Sequence, residues 1–248
     1  YQTYENLELV IVEDSSTDNT LDKILKFQDS RIRLAQNKKN EGISYSTNKA
    51  IQMSCGKYLA LLDDDDVSMP DRIKKQVNYL EKNKAVDILG GRTIYIDEKS
   101  DFVDVSVVPR MNPQYMKCIL LLGGVDFSNS TAMIRRSFLE RTGIQYQDNC
   151  YGMQDVRFYM EASKVGTIVG IKDYLLKYRM HSENETTKNI KKYGKERSRK
   201  FAELQRYSIE ASGFHLETKE FDIINKAFPE DGGNWNSEPP SGVTSSYN

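Results

Sequence analysis

The chain has 248 residues with 35 Lys and Arg against 36 Asp and Glu, and a net charge of −1 gives no basic excess for holding nucleic acid. With 38% apolar and 10% aromatic residues it can build a sizeable core, while 29% charged residues and a mean hydropathy of −0.63 mark a water-facing surface. The longest apolar stretch, Cys118–Val125, is far shorter than the roughly 18–20 residues that cross a bilayer, so insertion into a membrane is excluded for it.

Residues 7–12, LELVIV, read as a strand, followed by the polar cluster Glu13–Asp18 and a helix carrying Leu21, Ile24 and Leu25. Ile32–Ala35 is expected to be extended, Ile43–Met53 helical and Tyr58–Leu62 extended, and Pro70 then opens a helix with Ile73, Val77 and Leu80 on one face. Alternating strands and helices predict an α/β fold with a mainly parallel central sheet flanked by helices. Val86–Ile96, Phe102–Val108 and Thr131–Ile134 read as further strands and Pro113–Leu122 as a helix. Next come a helix at 154–163, strands at 167–171 and 174–179, and a long charged helix at 189–212. From Pro229 on, Gly, Ser, Asn and Pro dominate, which predicts a flexible tail over 229–248.

LELVIV is apolar on both faces and belongs inside a sheet, yet it begins only seven residues into the chain. Either later strands flank it or an earlier strand is absent from this sequence. Nothing in the opening residues reads as a signal peptide. Cys55, Cys118 and Cys150, widely spaced, are expected to be buried thiols in a reduced cytoplasmic setting rather than metal ligands.

The acidic residues carry the chemistry. Asp63–Asp66 close the apolar strand YLALL, and so much like charge is costly unless a cation or hydrogen-bond donors compensate. In extended backbone Asp63 and Asp65 project to one side, a pair suited to Mg²⁺ or Mn²⁺; the rival reading is a solvated acidic turn before the Pro70 helix. In the Glu13–Asp18 loop the acceptors could meet a base or a ribose, or Ser16 or Asp18 could cap the next helix. Asn40-Glu41-Gly42 and Asn48 say only turn and cap. On local grounds Asp155 reads as a helix cap before a catalyst, and His181 as a satisfied polar residue before a ligand.

Taken in order, QTYENLELVIVEDSSTDNT, NEGISYSTNKAI, GKYLALLDDDDVSMPDR, STAMIRRSFLERTG, QDVRF and YRMHSEN resemble the family-two inverting glycosyltransferases, over about three-quarters of the chain. The resemblance implies a GT-A-like catalytic domain at 1–184, missing the family's first strand and helix, with a C-terminal helical extension at 185–228. It places Glu13, Asp14, Asp63, Asp64, Arg179 and His181 on the nucleotide-sugar, Asp65 and His181 on Mn²⁺ or Mg²⁺, and Asp155 as the catalytic base. Gln154 stands where an acidic residue is usual, and Ser15 where a Gly is. Asn112–Arg135 and Gln147–Met153 are expected to form the acceptor wall and a lid. The implied partners are a nucleotide-sugar, a UDP-sugar first among them, and a glycan or lipid-linked acceptor, with no nucleic acid; a homodimer is left open. The implied setting is the cytoplasm or the inner face of a membrane. A non-catalytic nucleotide-sugar-binding module and a nucleotidyltransferase remain alternatives. The segment Lys188–Arg206 carries eight basic residues and admits two readings, peripheral contact with an anionic membrane or a solvated helix packed by one side.

Overall fold

The structure, a computed structural model, describes residues 1–227. The expected flexible tail lies outside the described residues. In chain order the elements are β1 (Leu9–Glu13), α1 (Thr20–Leu25), β2 (Ile32–Gln36), α2 (Ile43–Met53), β3 (Tyr58–Ala60), β4 (Val67–Ser68), α3 (Arg72–Lys82), β5 (Ile88–Ile96) and β6 (Phe102–Val105). They continue with α4 (Pro113–Leu121), a 3-10 turn (Asn129–Thr131), β7 (Met133–Arg135), α5 (Arg136–Thr142), α6 (Gln154–Val165), β8 (Ile168–Arg179), α7 (Glu185–Ala211) and α8 (Thr218–Ala227).

The α/β fold with flanking helices is present. β1 and β2 form a parallel pair, and a six-stranded sheet runs β3-β7-β5-β8-β4 with β6 on β5. Within the larger sheet only β5 and β8 pair in parallel, so it is mixed where the alternating pattern predicted mainly parallel pairing. The short strands β4, β6 and β7 take part in the antiparallel pairings, and β6 follows β5 after residues 97–101, a connection too short for the crossover that parallel order needs. The two strands expected at 167–171 and 174–179 are one, β8, whose register against β5 shifts near Arg92.

Successive residues of the central strands feed two cores, because side chains alternate across a sheet. Leu59, Ile88, Ile134 and Ile168 join Met116, Leu120, Phe138 and Phe158 under α4, α5 and α6. Their neighbours Leu89, Met133 and Val169 pack with Leu80 and the half-buried Ile73 and Val77 of α3. At Gly90 in β5 an added Cβ would stand 2.2 Å from the Phe127 ring, so only glycine lets that ring lie on the sheet.

Three findings bear on the expectations. Among the described residues β2 flanks β1 on one side and no strand pairs with its other edge, and Leu9 is exposed. Cys55 and Cys118 are exposed and only Cys150 is buried; Cys118 falls on the outer side of α4, whose inner side is Met116 and Leu120. On α7 the side carrying Phe201, Leu204 and Ile209 is buried, Arg197 with it, while Lys188, Arg199, Lys200 and Arg206 each pair with a glutamate. No helix of the described residues is long and apolar enough to cross a membrane.

Candidate active site

β3, β5 and β8 run in one direction and β7 in the other, so three strand carboxyl ends and the 3-10 turn before β7 share an edge of the sheet. Ligands of open α/β sheets gather at such an edge.

At the end of β1, Asp14 is organised by the segment leading into α2. Its Oδ1 accepts from Asn37 Nδ2 at 2.6 Å and from the Glu41 amide at 2.9 Å, and its Oδ2 accepts from the Gly42 amide at 2.9 Å. Partial burial works to raise its pKa, but these donors and Ser46 outweigh it and hold the carboxyl below the usual range. Asn37, buried, also receives Lys49 Nζ at 2.6 Å. Glu13 is buried and accepts from the Ser16 amide, which holds its carboxyl low. Ser15 has φ 61°, a left-handed backbone that glycine adopts without strain, which accounts for the usual Gly there. Asp18 accepts from the Thr20 amide at 2.9 Å and serves the first turn of α1.

Asp63–Asp66 follow β3. Asp63 is exposed to water at its surface yet closely surrounded by protein. Its burial pushes the carboxyl up, a Ser130 hydrogen bond opposes this, and the charges of Asp155, Asp65 and Asp64 add to it. Burial likewise pushes Asp66 up to about 6, although its Oδ1 accepts from the Arg179 amide at 3.0 Å. Asp64 is exposed. Beneath the turn lies Arg72, 1% exposed, which donates to the carbonyls of Leu61 at 2.8 Å and Ala132 at 3.2 Å and to Gln76 Oε1 at 3.0 Å. Burial pulls its guanidinium down to about 10, with Asp63 and Asp66 among the charges opposing, so it stays a cation at neutral pH.

Asp65, His181 and Asn184 form a triad. Asp65 Oδ2 stands 3.0 Å from His181 Nε2 and 3.0 Å from Asn184 Nδ2, which is 3.1 Å from His181 Nε2. Arg179 donates Nε to the Asp65 carbonyl at 3.2 Å and Nη1 to the Asp97 carbonyl at 3.1 Å and to Ser100 Oγ at 2.9 Å, so it staples the acidic turn to the β5–β6 connection. Among the described residues no group of three or more His, Cys, Asp or Glu is arranged to hold a metal ion. Two ligands suffice for a cation that takes its other positions from water and phosphate. The 3.0 Å between Asp65 Oδ2 and His181 Nε2 is a hydrogen bond, so the two side chains that would hold such an ion already meet.

Asp155 lies in the first turn of α6 rather than at its cap, which is Met153, and Oδ1 accepts from the Val156 amide at 2.8 Å. Burial raises its carboxyl, against the Val156 amide and the charge of Arg197. Its coupling to Asp63 brings together two residues 92 positions apart in sequence, 155 less 63. Beside them Tyr146 and Tyr159 both donate to Asn129 Oδ1, at 3.1 and 2.9 Å, and burial pushes both phenols well up. Asn48 binds the Tyr146 backbone twice, accepting from its amide at 3.0 Å and donating to its carbonyl at 2.8 Å, so α2 is tied to the segment before Asp155.

The structure thus brings Asp63, Asp65, Asp155 and His181 to one edge and gives Arg179 a stapling position. Sequence reasoning missed Arg72, Gln76, Asn37, Asn129, Tyr146, Tyr159 and Asn184. Asn184 had a signal, three residues beyond His181 in the same HSEN segment; the buried polar pair of α3 had none, since a charged residue on a helix reads as solvent-facing.

Residues 1–143 match the family described as Glycosyl transferase family 2. An uncharacterized glycosyltransferase of Haemophilus influenzae is 30% identical over 211 residues, 77% of this chain and 65% of that relative. The Escherichia coli UDP-Glc:alpha-D-GlcNAc-diphosphoundecaprenol beta-1,3-glucosyltransferase WfaP is 33% identical over 147 residues, 59% of this chain and 56% of its own length. The chain therefore spans less than two thirds of either relative. The crystal structure of S. aureus TarS 1-349 in complex with UDP-GlcNAc superposes with a TM-score of 0.67 at 18% identity, over 90% of this chain and 63% of that one, a likeness of GT-A fold. The match over residues 1–143, more than half of the sequence, shows that this chain belongs to glycosyl transferase family 2.

Proposed function

We propose that residues 1–184 are the catalytic domain of an inverting, metal-dependent glycosyltransferase that moves a sugar from a nucleotide-sugar to an acceptor hydroxyl. The observation that carries this reading is the convergence of Asp155 on Asp63 beside the Asp65–His181 pair. A UDP-sugar is the proposed donor and a lipid-linked glycan the proposed acceptor, in keeping with the UDP-GlcNAc complex of TarS and the glucosyltransferase activity for which WfaP is named.

Asp14 and Glu13 shape the loop that receives the base, and Asp63 and Asp64 face the ribose and diphosphate. Asp65 and His181 would hold Mn²⁺ or Mg²⁺, which would supply positive charge against that of the departing diphosphate. Asp155 takes the proton of the acceptor hydroxyl while its oxygen bonds to the anomeric carbon from the face opposite the diphosphate. The carbon–oxygen bond to the diphosphate breaks with its electron pair, so the centre inverts. Burial raises Asp155 above an ordinary Asp, which makes its carboxylate the stronger base.

Asp155→Asn keeps the size and removes the basicity. Transfer should fall by about 10²–10⁴-fold with donor affinity unchanged by calorimetry. Near-wild-type transfer, or retention of anomeric configuration by NMR, would refute the mechanism, and release of pyrophosphate in place of a nucleoside diphosphate would point to a nucleotidyltransferase.

A further inference from the structure

The family match ends at residue 143, and Asp155 beyond it is presented by a turn that α7 holds in shape. Asn149, Tyr151 and Gly152 have φ of 60°, 49° and 79°, a left-handed backbone that side chains other than glycine's resist. Such a turn needs support from outside itself. Phe201 of α7 packs against the fully buried Cys150 and Met153. The buried Arg197 donates Nη1 to the Tyr151 carbonyl. At Tyr193 α7 leaves helical geometry, with φ −126° and ψ 17°, and its ring lies 5.2 Å from that of Tyr151. A Cβ at Gly152 would stand 2.9 Å from Asn189 Nδ2 and 3.0 Å from Arg197 Nη1, so turn and helix meet without spare room. The same helix holds the end of α4, since Gln205 Nε2 donates to the Leu122 carbonyl at 2.6 Å.

We propose that α7 is part of the catalytic site, with Arg197 a positioning residue that fixes the Cys150–Met153 turn and thereby the place of the Asp155 carboxylate. This rests on the reading of Asp155 as the base. A helix outside the matched segment then does what a loop cannot do alone, because a base displaced by about 1 Å can lose about 10²-fold in rate.

The test uses the full chain and Arg197→Gln and Arg197→Lys. Hydrogen exchange of the Met153 and Arg157 amides, which donate to the carbonyls of Cys150 at 2.9 Å and Met153 at 3.0 Å, should quicken by about tenfold or more in Arg197→Gln, with residues 37–46 unchanged. With UDP-glucose and a synthetic polyprenyl-diphosphate-linked N-acetylglucosamine, kcat should fall by about 10–100-fold while the Kd for UDP stays within about twofold, and Arg197→Lys should recover most of the loss. In an Asp155→Asn background the same change should cost less than about threefold, because the group it positions no longer works. Unchanged exchange and kcat in Arg197→Gln, or an equal loss in both backgrounds, would overturn the proposal. Should Arg197→Gln fail to fold, Gly152→Ala presses on the same contact, and wild-type exchange and kcat there would overturn it equally. Near-wild-type transfer by Asp155→Asn alone would overturn the base assignment itself, and unchanged exchange would overturn the clamp, so the two failures are told apart.

Discussion

Asp14→Asn separates a carboxylate that organises a loop from a polar residue that merely sits there. Oδ1 accepts from Asn37 Nδ2 and the Glu41 amide, and Oδ2 from the Gly42 amide. An asparagine can keep the first two through its carbonyl, but it then turns an NH₂ group toward the Gly42 amide, donor against donor. One hydrogen bond to a charged group is lost, worth about 1.5–3 kcal/mol, and two others become neutral ones. For a half-buried site this comes to about 2–4 kcal/mol, or about 4–16 °C in Tm at about 2–4 °C per kcal/mol for a chain of this size. The pH dependence carries its own sign. The folded carboxyl lies below the ordinary value of 3.8, so its stabilisation is present in full above that value and is lost as pH falls through the folded pKa. Thermal melts of both proteins by circular dichroism from pH 7 to pH 3 should therefore show a gap that narrows once pH falls below 3.8. A Tm difference under about 2 °C at pH 7, or a gap of constant size across the range, would refute the reasoning.

Asp66 has the opposite sign: its folded pKa is raised to about 6, so stability falls as pH rises from 3.8 through that value. Without divalent cation, Asp66→Asn should stabilise by about 1–3 kcal/mol at pH 7 to 8 and by nothing near pH 4 in urea titrations; a stabilisation that persists at pH 4 would contradict this. Arg72→Met should destabilise by about 3–5 kcal/mol, since it leaves the Leu61 and Ala132 carbonyls and the acids above without their buried cation, and a urea-derived loss under about 1 kcal/mol would show that the cation is dispensable. Asp65→Ala should abolish the Mn²⁺-dependent part of UDP-sugar binding by calorimetry and leave the metal-independent part; full retention of metal dependence would remove Asp65 as ligand.

Much of the frame could be read from local pattern. Ile43–Met53 is helical over the residues expected, and the acidic loops do fall at strand ends, because periodicity and turn chemistry are local. What escaped is tertiary. β4 has two residues and exists only by pairing with Lys177 and Leu176 of β8, so no pattern announces it. Helix α5 continues directly from β7, with no breaker between Arg135 and Arg136 to mark a boundary. Arg72 and Gln76 read as the wet side of α3, yet they are buried because the ends of β3 and β5 and the residues flanking β7 point carbonyls at them.

Those buried polar residues also explain how four adjacent aspartates are tolerated in a folded chain. Arg72 stands below Asp63 and Asp66, and Arg179 grips the Asp65 carbonyl from the side. Two guanidinium charges against four carboxylates leave the turn short by about two positive charges, and like charges at this spacing resist ionising together. Burial first, and this like charge after it, raise the carboxyls of Asp63 and Asp66. A divalent cation at Asp65 and His181 would supply the same two charges, so a turn that is electrostatically incomplete by itself is one whose carboxyls ionise most readily with the proposed ion bound.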